Sequence, residues 1–121
     1  MKFIFHMTNI SLIALYLFPG SIIGWFMYGD LIKQPQLTND FGNISSNHIY
    51  AFFILSFFGI ISYKNNKNFN LLIIYLLILA IILELFHLLI PVRSFQLGDL
   101  FGNILGVIIS LLIYNLRRIV K

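Results

Sequence analysis

The segment that decides the fold covers residues 71–90 and reads LLIIYLLILAIILELFHLLI. Apart from Glu84 and His87, every side chain in it is apolar or aromatic. A helix needs about 20 such residues to cross the hydrocarbon core of a bilayer. A helix on the surface of a soluble domain would carry a polar face, and this segment has none. The segment therefore predicts a membrane-spanning helix.

Three further apolar segments accompany it, at about residues 10–27, 48–63 and 98–116. Of the 121 residues, 60% are hydrophobic and only 10% are charged, whereas charged residues make up about 25% of an ordinary soluble domain. The membrane interior favours helices because they satisfy their own backbone hydrogen bonds. We therefore predict one domain over residues 1–121, an all-α integral membrane protein with a bundle of four transmembrane helices.

The basic residues predict the orientation of these helices. Two of the eight, Lys33 and Arg93, fall on one side of the predicted spans. The other six fall on the opposite side: Lys2, Lys64, Lys67, Arg117, Arg118 and Lys121. By the positive-inside rule, both termini are then cytoplasmic. Because the basic residues separate apolar runs instead of forming a stripe, we expect no nucleic-acid partner.

Glu84 is the first candidate for a functional residue. An ionisable group at the centre of a membrane helix costs about 2.5–3.5 kcal/mol on insertion scales and is usually retained for function. Glu84 lies seven residues before Pro91, which places it about 10 Å below the outer end of its predicted helix. His87 follows on the same helix face. Either the two residues only satisfy each other at a helix interface, or Glu84 has a function.

Four other polar residues fall in the same half of the membrane. Asp99 and Asn103 lie one turn apart at the start of the fourth predicted helix, His48 opens the second, and Arg93 lies in the external turn. Three of them also have a structural explanation: a first-turn Asp is stabilised by the helix dipole, an interfacial Arg can snorkel, and a lone interfacial His is more often a bystander. Their one-sided clustering predicts an outward-facing polar pocket, with Arg93 at the rim and Glu84 at the floor. Its candidate residues are His48, Glu84, His87, Arg93, Asp99 and Asn103.

Small residues predict where helices pack closely. Gly98, Gly102 and Gly106 recur every four residues in the fourth helix, which is typical of a helix–helix contact. Gly20 and Gly24 form a second such pair just after Pro19, which we expect to kink the first helix.

Several kinds of chemistry are excluded or not expected. The chain has no cysteine, which excludes disulfides, cysteine zinc sites and thiol catalysis. A metal could be ligated by four residues, namely His48, Glu84, His87 and Asp99. Because no helix carries two histidines at ligand spacing, we expect neither a metal nor another cofactor.

Two stretches of the chain resemble a known family. Residues 48–55, HIYAFFIL, resemble the second helix of VanZ-like membrane proteins. Residues 84–94, ELFHLLIPVRS, and residues 99–106, DLFGNILG, resemble that family's signature of a Glu, an Arg in the next turn, and then an Asp, an Asn and a Gly. The resemblance spans roughly residues 10–116 and implies a multi-pass protein of the bacterial plasma membrane.

The chain departs from the family pattern at two places. His87 stands where members often carry a Gln, and Ile44-Ser45 stands where they often carry Asp-Lys before the histidine of the second helix. The second departure implies either an altered activity or a different use of Asp40 or Ser45.

The resemblance also implies a function in the cell envelope, since the family is named for a protein associated with low-level teicoplanin resistance. We expect the pocket to bind the head group of a membrane lipid or lipid-linked envelope precursor, with a link to glycopeptide resistance. One alternative is a membrane enzyme acting on a lipid-linked substrate, with Glu84 as general acid or base. A second is a structural subunit whose glycine ridge docks a partner membrane protein.

Overall fold

The protein is described by a computed structural model that covers residues 1–91 and 93–120. Within these residues the regular elements are all helical: α1 Lys2–Leu17, α2 Ile22–Tyr28, α3 Ser46–Tyr63, α4 Phe69–Phe86 and α5 Leu97–Val120. Helices α3, α4 and α5 are long and apolar enough to cross a membrane. Helices α1 and α2 would together make a fourth span, broken by a bend of 83°. The all-helical class is therefore confirmed, and three or four membrane spans are consistent with it.

The first helix differs from the prediction. It covers residues 2–17 instead of 10–27, because Phe18 takes an extended conformation and Pro19 cannot continue the helix. Helix α2 then starts afresh, with the side chain of Ser21 accepting a hydrogen bond from Gly24 N at 2.9 Å. Pro19 therefore ends a helix, whereas a kink within a continuous helix was expected.

Helix α4 ends at Phe86, four residues before the predicted residue 90. Its last amides bond three residues back instead of four, with His87 N to Glu84 O at 3.1 Å and Leu89 N to Phe86 O at 2.9 Å. This tightening closes the helix. Glu84 thus lies in the last turn of α4, and the predicted depth of about 10 Å below the helix end is wrong.

The core forms around α3, which contacts α1, α4 and, most extensively, α5. Phe52, Leu55, Leu76 and Val107 are completely buried between these helices. The bundle leaves many large apolar side chains exposed, among them Ile74, Ile78 and Ile81 along α4. An apolar exterior of this kind is suited to lipid and not to water.

The four long helices alternate in direction along the chain, so α3 and α5, which pack together, run parallel. The bundle has two chemically different ends. At one end Lys2 of α1 lies 4.9 Å from the ring centre of Tyr63 in α3, and Phe69 of α4 lies 5.5 Å from Tyr114 of α5. The first and last helices thus start and finish at the same end. The cytoplasmic location of that end stays a prediction. The opposite end, formed by α2, the loop 29–45, residues 87–91 and residues 93–96, is called the site end below.

Candidate functional site

The six predicted pocket residues all lie at the site end, and Tyr16 of α1 joins them. Glu84 and Asn103 are fully buried, His87 is 2% exposed, and Tyr16 is 7% exposed. His48 and Asp99 remain partly accessible. The group draws on α1, α3, α4 and α5, so its geometry depends on the whole bundle.

Asn103 is the junction of this group. Its side-chain amide donates to the backbone oxygen of Ala80 in α4 at 3.0 Å. The amide oxygen must therefore face the other way, where it accepts from the Tyr16 hydroxyl at 2.6 Å and lies 2.9 Å from His48 Nδ1. One buried side chain of α5 thus connects the three other long helices.

The same contacts determine which nitrogen of His48 carries a proton. An amide oxygen only accepts hydrogen bonds, so His48 Nδ1 must donate. In the neutral imidazole, Nε2 then presents a lone pair. That nitrogen lies 3.6 Å from Asp99 Oδ2.

Glu84 and His87 are in contact in the buried part of the site. His87 Nε2 lies 3.0 Å from the backbone oxygen of Tyr16, so this nitrogen donates. The other ring nitrogen, Nδ1, lies 3.2 Å from Glu84 Oε1, which also accepts from the backbone amide of Gln96 at 3.1 Å. The second oxygen, Oε2, is buried and has no hydrogen-bond partner among the described residues.

Arg93 fastens the end of α1 to the site. Its Nε donates to Phe18 O at 3.2 Å, and its Nη2 donates to Leu15 O at 3.0 Å and to Gly20 O at 2.5 Å. These carbonyls lack partners within a helix that ends at Leu17, and a cation is favourable at a helix C-terminus. Burial lowers the pKa of the Arg93 guanidinium from its ordinary value, but an arginine remains charged in a protein.

Two cavities meet at these residues. The polar cavity has a volume of about 270 Å³, and Arg93, His48, His87 and Asp99 are among its lining residues. The apolar cavity has a volume of about 400 Å³ and lies between α1, α2 and α3. The residues that line both are Gln34, Gln36, Asn47, His48 and Arg93. Glu84 and Asn103 lie behind these surfaces and line neither cavity.

Asp40 takes part in the site as the cap of α3. Its Oδ1 accepts from Ser46 N at 3.1 Å and from the side chain of Gln36 at 2.6 Å, and it lines the polar cavity. Ser45 occupies the N-cap position but makes no side-chain cap bond. Both residues considered as substitutes for the family's Asp-Lys line the polar cavity, and Asp40 is the one whose side chain makes hydrogen bonds to other described residues.

The glycines of α5 approach the backbone of the same chain. A Cβ atom on Gly106 would lie 2.6 Å from Ile49 O, and one on Gly102 would lie 2.7 Å from Ser45 O. Gly98 faces Asn43 O in the loop before α3. The ridge that could have docked a partner is thus covered by α3 and its preceding loop.

Gly20 and Gly24 have a different role from the predicted one. Each closely approaches the returning loop, Gly20 at Leu31 O and Gly24 at Lys33 O. Ser21 N also donates to Leu31 O at 2.6 Å. The pair therefore packs against residues 30–33 and not against another membrane helix.

The sequence analysis did not include Tyr16 among the site residues. Its ring stacks on His87 at 5.7 Å and meets His48 edge-on at 5.0 Å. The available signal was periodicity, because Tyr16 lies four residues after Leu12, which also faces the core. A tyrosine on the buried face of a membrane helix needs a partner for its hydroxyl.

Comparisons with known proteins leave these residues as the main guide to function. No protein-family model, no curated protein and no solved structure matches the chain.

Proposed function

We propose that this chain is a VanZ-like protein of the bacterial plasma membrane that binds an amphiphilic lipid or lipid-linked envelope precursor. The observation that carries this proposal is the junction of an apolar and a polar cavity at His48 and Arg93. A ligand with a hydrocarbon tail and a polar head matches that pairing. Their volumes of about 400 and 270 Å³ suit a tail segment and a head group.

Arg93 supports an anionic head group. Its Nη1 makes no hydrogen bond to the described residues, whereas Nε and Nη2 are held by α1. A guanidinium fixed in this way presents its remaining donors at low entropic cost, and phosphate oxygens fit them well. Asn47, Gln34 and Gln36 add neutral polar groups at the same place.

The predicted orientation would direct the cavities to the outer leaflet. The positive-inside rule assigns the lysine- and arginine-rich end to the cytoplasm, so the site end would face outward. A protein that holds a lipid-linked precursor there would change its availability to glycopeptides. This is our explanation for a link to teicoplanin-type resistance.

The observations favour the binding function over its two alternatives. Glu84 lines neither cavity, so a direct role as acid or base toward a bound substrate has no support from the geometry. The glycine ridge of α5 packs within the chain, which removes the surface assigned to a partner protein.

Filling the apolar cavity should expel the ligand. Ile54 lines it and is 48% exposed, and Ile78 is 49% exposed on α4, away from both cavities. We expect Ile54→Trp to lower the amount of co-purified phosphate-bearing amphiphile at least about tenfold, which corresponds to about 1.4 kcal/mol. Native mass spectrometry of the detergent-purified protein measures this.

Ile78→Trp is the matched control and should retain the wild-type amphiphile. The same bulk lipid in all three proteins would contradict the proposal. Arg93→Ala is a poorer test, because it would also release the end of α1.

A further inference from the structure

We infer that His48, Glu84 and Asp99 form a binding site for a divalent transition-metal cation, of which Zn²⁺ and Mn²⁺ fit the donors best. One ligand atom from each of these residues lies within 4.8 Å of the other two. The three side chains come from α3, α4 and α5. The sequence argument against a metal considered spacing within one helix, and this cluster is assembled from three.

His48 is prepared as a ligand by Asn103. A histidine that binds a metal through one ring nitrogen usually donates its other N–H to a carbonyl or carboxylate group, which fixes the tautomer. Here Nδ1 donates to the Asn103 amide oxygen at 2.9 Å, and Ala80 O in turn fixes the orientation of that amide at 3.0 Å. The lone pair of Nε2 is thereby directed toward Asp99.

Glu84 supplies the second, independent observation. Its side chain is completely buried, yet Oε2 has no hydrogen-bond partner among the described residues. Leaving a buried carboxylate oxygen unpaired is costly. Oε1 is held by His87 and the amide of Gln96, so Oε2 is the oxygen left for a ligand.

The donor set selects the class of cation. One imidazole nitrogen and two carboxylate oxygens suit Zn²⁺, Mn²⁺ or Fe²⁺, whereas Ca²⁺ takes six to eight oxygen ligands. Two ligands at about 2.1 Å from a tetrahedral ion are about 3.4 Å apart, close to the 3.6 Å between His48 Nε2 and Asp99 Oδ2.

The site opens where a ligand could share it. His48 and Asp99 line the polar cavity, so a cation held there would keep an open coordination position toward it. A water molecule or an anionic oxygen could fill that position. The inference does not rest on the proposed amphiphile, because the three side chains are in place without one.

The test is isothermal titration of the purified full-length protein with Zn²⁺ and with Mn²⁺. We expect one ion per chain. Replacing a group that only orients a metal ligand usually costs about 10–100-fold in metal affinity. Loss of a ligand itself in His48→Gln, Glu84→Gln or Asp99→Asn should therefore cost at least about 100-fold. Glu84 is fully buried, so Glu84→Gln could fail to fold. In that case Asp99→Asn, at a partly exposed position, is the variant that tests the inference.

Two variants control for adventitious binding. His6→Gln and Asp30→Asn remove the same chemical groups from exposed positions outside the cluster and should bind the metal as the wild type does. Absence of stoichiometric binding, or equal binding by Asp99→Asn, would overturn the inference. So would Ca²⁺ binding as tight as that of Zn²⁺ and Mn²⁺. A ligand variant that loses the metal but retains the co-purified amphiphile would show that the metal site and the proposed lipid binding are independent.

Discussion

Replacing Asn103 by leucine should lower the free energy of unfolding by about 1–3 kcal/mol. Leucine branches at the same carbon as asparagine but offers no acceptor to the Tyr16 hydroxyl or to His48 Nδ1. These two groups lie 2.9 Å apart and can bond to each other, so one buried donor is left without an acceptor, which costs about 1–3 kcal/mol. Hydrogen bonds between membrane helices average about 0.6 kcal/mol, which favours the lower part of this range. Circular dichroism during denaturation in detergent measures the change.

A double-mutant cycle with Tyr16→Phe checks the explanation. Tyr16→Phe removes the hydroxyl that donates to Asn103 and should cost about 1 kcal/mol. In the double variant the hydroxyl no longer needs an acceptor. The double variant should therefore lose less free energy of unfolding than the sum of the two single losses. Strict additivity would show that Asn103 stabilises the bundle by other means.

Replacing Gly106 by alanine should destabilise the protein by about 1–3 kcal/mol through overpacking. The added Cβ would lie 2.6 Å from Ile49 O, 2.7 Å from Phe53 N and 2.9 Å from Phe52 Cβ. Two of these atoms belong to the backbone of α3 and cannot rotate away. Helices α3 and α5 would have to separate, and the shift would reach the site through His48. The same denaturation experiment reports the effect.

Gly59→Ala is the matched control. It makes the same substitution in a long apolar helix, but its Cβ would meet the ring edge of Phe5 at 3.0 Å and a methyl group of Leu72 at 3.3 Å. Side-chain ends can shift, and alanine gains up to about 1 kcal/mol of helix propensity over glycine. The net change should be near zero. A loss as large as that of Gly106→Ala would refute the role of backbone contact.

The apolar segments predicted three helices well and the first poorly, for a physical reason. Hydrophobicity marks the part of a chain that lipid tolerates. Helices α3 and α5 fill such parts, and α4 ends four residues before the end of its apolar segment. The first apolar segment contains Pro19 and Gly20, and the helix is interrupted there. Residues 2–9, which include Lys2 and His6, are less apolar and are nevertheless helical. Helical backbone hydrogen bonds do not require apolar side chains.

The sequence predicted six residues of the site but not the contacts between them. One-sided clustering of polar residues identified six positions, since buried polar groups gather where they can satisfy one another. The same reasoning placed Glu84 too deep and considered Arg93 only as a snorkelling residue or as the rim of the pocket. The two roles it missed, Arg93 bonding the end of α1 and Tyr16 bonding Asn103, depend on where α1 stops. Composition does not reveal that point.

The shortness of the helices has a consequence for the membrane itself. With 16 residues in α1 and 18 each in α3 and α4, their axes are about 24 and 27 Å long, whereas a typical hydrocarbon core is about 30 Å thick. Lipids around these helices would have to compress, while α5, with 24 residues, would have to tilt. Each ångström of mismatch costs a fraction of a kcal/mol. The chain should therefore favour thin bilayers, where short-tailed lipids surround it without strain.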